Sequence, residues 1–153
     1  MLPKKNLIRP QLDAGHSVGV FGYSQSTLIS SLEMEQLDPA GTPSDLPLSF
    51  VLIGDPMNPN GGVLERFEGF QDPSLGLNFY GATPANDFPT TIYSLEYDGF
   101  ADFPRYPINF LSDLNAVAGI EFVHGTYPEG GPAGGIGTPV VLDGSVSQAP
   151  RTA

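Results

Sequence analysis

Ser17-Val18-Gly19-Val20-Phe21-Gly22-Tyr23-Ser24-Gln25-Ser26 is the stretch on which the reading of this chain turns. Ser17 to Phe21 is short and β-rich, and it runs directly into a small-residue turn at Gly22 to Ser26. From Thr27 to Leu37 the pattern changes period: Leu28, Ile29, Leu32 and Leu37 recur at helical spacing with Glu33 and Glu35 between them. Asp38-Pro39 and Gly41-Thr42-Pro43 then stop the helix. A second apolar run, Leu48 to Ile53, is bounded by Gly54-Asp55-Pro56 and reads as a buried strand. Strand, helix and strand in that order imply a right-handed crossover and a parallel pair.

Outward from this unit the signals are mixed. Thr90 to Tyr97 is rich in Thr, Ile and Tyr and reads as a third strand ending at Asp98-Gly99. Between them, Asn58 to Asp87 is full of Gly, Pro and Asn, and is expected to be a long excursion above the strand ends with a short helix near Leu64 to Phe67. After Pro104 and Pro107, Ile108, Leu111, Leu114, Val117 and Ala118 fall on one helical face, with Gly119 as the expected stop. Residues 128–153 hold ten Gly or Pro, which predicts a flexible tail with one apolar patch at Val140 to Leu142. The expected division is an N-terminal segment over 1–11, a domain over 12–128 and a tail over 129–153. The fold class is α/β: about three parallel strands with flanking helices.

Composition narrows the partners. The 153 residues carry 17 acidic and 6 basic side chains, a formal net charge of −11. Between residues 10 and 150 the only basic residues are Arg66 and Arg105. Binding a phosphate backbone needs clustered Lys and Arg, so nucleic acid is a poor partner, and so is an anionic membrane surface. An uncharged or lipid-like ligand remains. No apolar run approaches the roughly 20 residues that span a bilayer, and no signal-peptide pattern follows Lys4 and Lys5. With no cysteine and two distant histidines, thiolate and zinc sites are not expected. Gly130 to Gly137 lack the Lys-Ser/Thr of a phosphate loop, and Met57 and Pro59 stand where a calcium loop needs oxygen ligands. No cofactor is expected.

Gly22-Tyr23-Ser24-Gln25-Ser26 has the context of a nucleophile elbow, where the chain turns too sharply for bulky neighbours of the serine. Ser24 is the candidate nucleophile, and the backbone N–H of Gln25 would face a developing oxyanion. Ser26 departs mildly from the usual glycine. Ser24 needs a base. His124, in Phe122-Val123-His124-Gly125-Thr126-Tyr127, comes late in the chain, as the order serine, acid, histidine requires; His16, before the elbow strand, is expected to be structural. The acid that orients the imidazole is expected at Asp98, which ends the second strand after the elbow. Asp55, ending the first, and Asp102 are the alternatives.

The same residues resemble a known family. Gly22 to Ser26, then Phe50-Val51-Leu52-Ile53-Gly54-Asp55-Pro56 with Asn58-Pro59-Asn60-Gly61-Gly62, are similar to the PE-PPE domain of mycobacteria. So is Glu96-Tyr97-Asp98-Gly99-Phe100-Ala101-Asp102-Phe103-Pro104-Arg105-Tyr106-Pro107, followed by His124-Gly125-Thr126-Tyr127-Pro128. The resemblance runs from about Leu12 to Pro128. It implies a serine α/β-hydrolase related to cutinases, with Ser24, Asp98 and His124 in the triad roles and a serine accepted at position 26. It implies an esterase acting on acyl esters, or an acyltransferase building cell-envelope glycolipids, secreted or held in the cell envelope in full-length members. Family domains carry further strands upstream of the elbow, including the loop that donates a second oxyanion N–H. The chain is therefore expected to be a partial α/β-hydrolase fold, truncated at both ends, with weak activity or none. The competing expectation is a non-catalytic remnant or surface-interaction protein that keeps the motifs.

Overall fold

The computed structural model describes residues 7–74, 77–106, 108–130, 140–143 and 146–148. Helix α1 (Ile8–Asp13) leads into strand β1 (Val18–Tyr23), helix α2 (Gln25–Leu37) and strand β2 (Leu48–Ile53). The excursion holds a short helix α3 (Val63–Arg66) and a two-stranded antiparallel ribbon of β3 (Gln71–Asp72) and β4 (Leu77–Asn78). Strand β5 (Thr90–Tyr93), helix α4 (Phe110–Phe122) and a 3-10 helix (His124–Glu129) follow. A second ribbon pairs β6 (Val140–Asp143) with β7 (Val146–Gln148), and takes in the apolar patch of the tail. The rest of the expected tail beyond Gly130 lies outside the described residues.

The chain is an α/β protein with a parallel sheet of three strands, ordered β1-β2-β5. Val18 to Tyr23 pair in register with Leu48 to Ile53, and Phe50 to Ile53 with Thr90 to Tyr93. β2 is therefore central, and its alternate residues Leu48, Phe50 and Leu52 are buried. They pack with Met34 of α2, Phe88 and Ile92 into one core, the rings of Phe50 and Phe88 lying 5.6 Å apart. α2 covers this face with small and flexible side chains: Thr27, Ser30, Ser31 and Met34 are its buried residues. Ile29, which the helical pattern groups with the apolar residues, faces outward.

Two elements differ from the sequence expectation in an informative way. β5 stops at Tyr93, not Tyr97, and the Leu95 N–H goes to the hydroxyl of Tyr127. Residues 94–97 thus leave the sheet to carry Asp98 towards the 3-10 helix. α4 runs through Gly119 to Phe122, so Gly119 is not its stop. It starts under an Asn109 cap, whose side chain accepts from the Leu111 and Ser112 N–H groups. Its buried residues are Ala116 and Gly119, whereas Leu111, Leu114 and Val117 are exposed. The cause is distance: a Cβ on Gly119 would collide with the Tyr97 carbonyl, and one on Gly99 with the Ala116 carbonyl. Only a face without bulk can approach the 97–99 loop so closely. No helix among the described residues is long and apolar enough to cross a membrane.

Candidate active site

The turn from β1 into α2 places Ser24 at φ 53 and ψ −121, a strained conformation for a residue with a side chain. Its neighbours explain why the chain tolerates it. A Cβ on Gly22 would lie 3.1 Å from Leu52 Cδ2 and 3.2 Å from Ser30 Oγ, so position 22 has no room for a larger residue. Ser26 Oγ accepts from the Tyr23 N–H at 2.6 Å and donates to the Tyr23 carbonyl at 2.8 Å. The serine at the second small position is thereby a tie across the turn, a role that glycine lacks. Gln25 is the first residue of α2. Its N–H has no carbonyl one turn earlier in the helix to bond, which leaves it available at the positive end of the helix dipole.

α4 ends where the 3-10 helix begins, and this junction delivers His124 to the elbow across 100 residues of chain. Ser24 Oγ lies 2.7 Å from His124 Nε2. His124 Nδ1 lies 3.0 Å from Asp98 Oδ1 and 2.9 Å from Oδ2. An ionised carboxylate only accepts, so Nδ1 carries the proton and Nε2 is left to accept from the Ser24 hydroxyl. Asp98 is fully buried. Each of its oxygens has a second donor: the Phe100 N–H at 2.9 Å on Oδ1, and the Tyr127 hydroxyl at 2.7 Å on Oδ2.

Aromatic side chains close around the imidazole. The Tyr23 ring stacks on it at 5.8 Å and 25°, and the Tyr23 hydroxyl donates to the His124 carbonyl at 2.7 Å. Phe100 meets it edge-on at 4.8 Å. Burial, then the Asp98 charge, push the phenols of Tyr127 and Tyr23 above their ordinary value, so both stay protonated donors. Gly54, at φ 59, lies beneath: a Cβ there would sit 2.9 Å from Tyr127 Cε2 and 3.2 Å from His124 Cε1.

The remaining sequence candidates lie elsewhere. His16 is exposed, with Nδ1 2.8 Å from Gln11 Oε1. Asp102 accepts from the Tyr97 N–H at 3.2 Å. Asp55 is fully buried under the elbow among hydroxyls: Thr27 Oγ1 at 2.8 Å, Thr83 Oγ1 at 2.7 Å, and the Met57 N–H at 3.0 Å. Thr27 Oγ1 also lies 2.6 Å from the Ser24 carbonyl, so Asp55 braces the turn from below. Tyr127, Tyr23 and Gly54 were not singled out as site residues from sequence. Beside the site, a groove of about 570 Å³ opens between the 96–106 loop and α4, with Tyr97, Tyr106, Arg66 and Arg105 on its walls. Among the described residues no three His, Asp or Glu side chains are grouped to hold a metal ion.

Comparison with known proteins identifies the family. The family model of the PE-PPE domain matches residues 4–147. The chain is 59% identical over 124 residues to the PPE family protein PPE28 of Mycobacterium tuberculosis (strain ATCC 25618 / H37Rv), covering 80% of this chain and 19% of that protein. It is 54% identical over 123 residues to Esterase PE16 of the same strain, covering 78% of this chain and 23% of that protein. It is 48% identical over 127 residues to the PE family protein PE3, again of that strain, covering 80% and 27%. The chain thus spans about a fifth to a quarter of the length of these curated relatives. No solved structure gives a significant match.

Proposed function

The chain belongs to the PE-PPE domain family, and from that premise we propose that it is a serine hydrolase acting on acyl esters. The observation that carries the reading is the unbroken hydrogen-bonded line from Ser24 Oγ through the imidazole of His124 to the buried carboxylate of Asp98, starting on a strained strand-to-helix turn. In this reading Ser24 Oγ attacks the ester carbonyl while His124 Nε2 takes its proton. Asp98 holds the imidazole in the correct tautomer and stabilises it once charged. The tetrahedral oxygen is met by the Gln25 N–H at the start of α2. Collapse of that intermediate expels the alcohol, which receives the proton from His124 and leaves Ser24 acylated. Water, deprotonated by His124, then releases the carboxylic acid and restores the hydroxyl.

The name of the relative Esterase PE16 supports an ester as the substrate class. The acidic body favours an ester with no anionic headgroup, since like charge would oppose its approach. This chain contributes one oxyanion donor in the present reading, Gln25. A series of p-nitrophenyl acyl esters tests the proposal. Wild-type protein is expected to release nitrophenol above background, and Ser24→Ala and His124→Ala are expected to fall to it. Equal release by wild type and Ser24→Ala would contradict the reading.

A further inference from the structure

The Asp98 carboxylate meets three donors, and two of them, the Phe100 N–H and the Tyr127 hydroxyl, have no part in the mechanism above. Oδ1 takes the Phe100 N–H at 2.9 Å, Oδ2 takes the Tyr127 hydroxyl at 2.7 Å, and His124 Nδ1 faces both oxygens at 3.0 and 2.9 Å. With one fixed donor on each oxygen the carboxylate cannot turn about its own axis, and the imidazole proton is shared symmetrically between the two. Tyr127 is itself fixed. Its hydroxyl accepts from the Leu95 N–H at 2.9 Å, so the proton it carries has only Asp98 to point to. Its ring is seated where Gly54 lacks a side chain and lies 5.6 Å from the Tyr23 ring, which in turn stacks on His124.

We propose that Tyr127 is a positioning residue for the His124–Asp98 pair, setting the orientation of the carboxylate through its hydroxyl. The inference rests on the hydrolase reading for its purpose, but its physical content is independent of catalysis. Without the hydroxyl, Oδ2 keeps only His124 Nδ1, and Oδ1 keeps the Phe100 N–H as a pivot. The carboxylate can then rotate and the Nδ1 proton loses its symmetric acceptor. A carboxylate misplaced by a fraction of an ångström still binds the imidazole, yet holds it less well for proton transfer, so the loss falls on kcat and not on KM.

The test is the low-field proton resonance of His124 Nδ1 in the full chain, assigned by its disappearance in His124→Gln. In Tyr127→Phe, which keeps the ring on Gly54, that resonance is expected to move and to exchange faster with water. A protein carrying 3-fluorotyrosine at position 127 keeps the ring and hydroxyl but is a stronger donor, and is expected to move the resonance in the opposite sense. This second protein also decides the matter should Tyr127→Phe not fold. With a turnover assay, Tyr127→Phe is expected to lower kcat by roughly 10–100-fold with KM unchanged. An unmoved resonance in both proteins, or no such resonance in wild type, overturns the proposal. Absence of ester turnover in wild type would sink the hydrolase reading alone, because the resonance is read without substrate.

Discussion

Asp55 carries the sharpest statement available at the scale of single residues. Three hydroxyl hydrogens, on Thr27, Thr83 and Ser31, serve five close oxygen contacts around it. These are Thr27 to the Ser24 carbonyl, Thr27 and Thr83 to Asp55, Ser31 to Thr83, and Ser31 to the Thr27 carbonyl. Ser31 must donate to the Thr27 carbonyl and Thr27 to the Ser24 carbonyl, since carbonyls only accept. Thr27 Oγ1 therefore divides its proton between the Ser24 carbonyl and Asp55 Oδ1, and Thr83 Oγ1 donates to Asp55 Oδ2. Burial raises the carboxyl above its ordinary value, outweighing the hydrogen bonds from Thr83, Thr27 and Met57 that lower it. At pH values between the ordinary and the raised one, the folded state holds a proton that the unfolded chain has released. The stability from Asp55 is fully present below the ordinary carboxylate value and is lost as pH rises towards the raised one. Asp55→Asn mimics the neutral acid and does not titrate. Urea midpoints of wild type and Asp55→Asn are expected to converge in acid, with the wild type falling progressively below the variant as pH rises. Parallel curves would refute the raised carboxyl.

α4 makes the corresponding argument for elements. By sequence period its apolar stripe is the inward face, yet Ile108, just ahead of it, is 94% exposed and Phe122 is 73% exposed, while Ala116 is 2% exposed. Leu114→Gln is thus expected to change stability by less than about 0.5 kcal/mol. Ala116→Leu, which inserts bulk against the 97–99 loop, is expected to cost about 1–3 kcal/mol. Chemical denaturation of the two variants checks this, and the reverse order would restore the sequence reading of the helix. The contrast also marks what was legible beforehand. The elbow, β2 and the short helix α3 could be read because each rests on local signals: small residues at a turn, a bounded apolar run, a compact turn of helix. Motif and chain order pointed to Ser24 and His124 and preferred Asp98 over Asp55 and Asp102, and the fold brings the three within hydrogen-bonding distance. The face of α4 was not legible, because it depends on a carbonyl of Tyr97 that comes near only in three dimensions. Tyr127 escaped for the same reason, since its partners Leu95 and Asp98 lie 32 and 29 residues away. Asp55 looked like a competitor for Asp98 because both follow a strand; both are fully buried, but Asp98 meets His124 Nδ1 while Asp55 is held by Thr27 and Thr83.

Among the described residues, a small three-stranded sheet leaves much apolar surface open. β1 is an edge strand of the described sheet, Phe21 on it is 66% exposed, and α4 adds a second uncovered face. The line from Ser24 to Asp98 nevertheless stands between the strand ends, the start of α2 and the close approach of α4, with Asp98 fully buried. Its reactivity is the claim on which the functional account depends. A fluorophosphonate probe, followed by peptide mass spectrometry, measures it directly. The account predicts a single adduct on Ser24 of the folded wild-type protein, strongly slowed in His124→Ala and Asp98→Asn and absent after heat denaturation. No adduct on Ser24, or labelling at the same rate in His124→Ala, would contradict it.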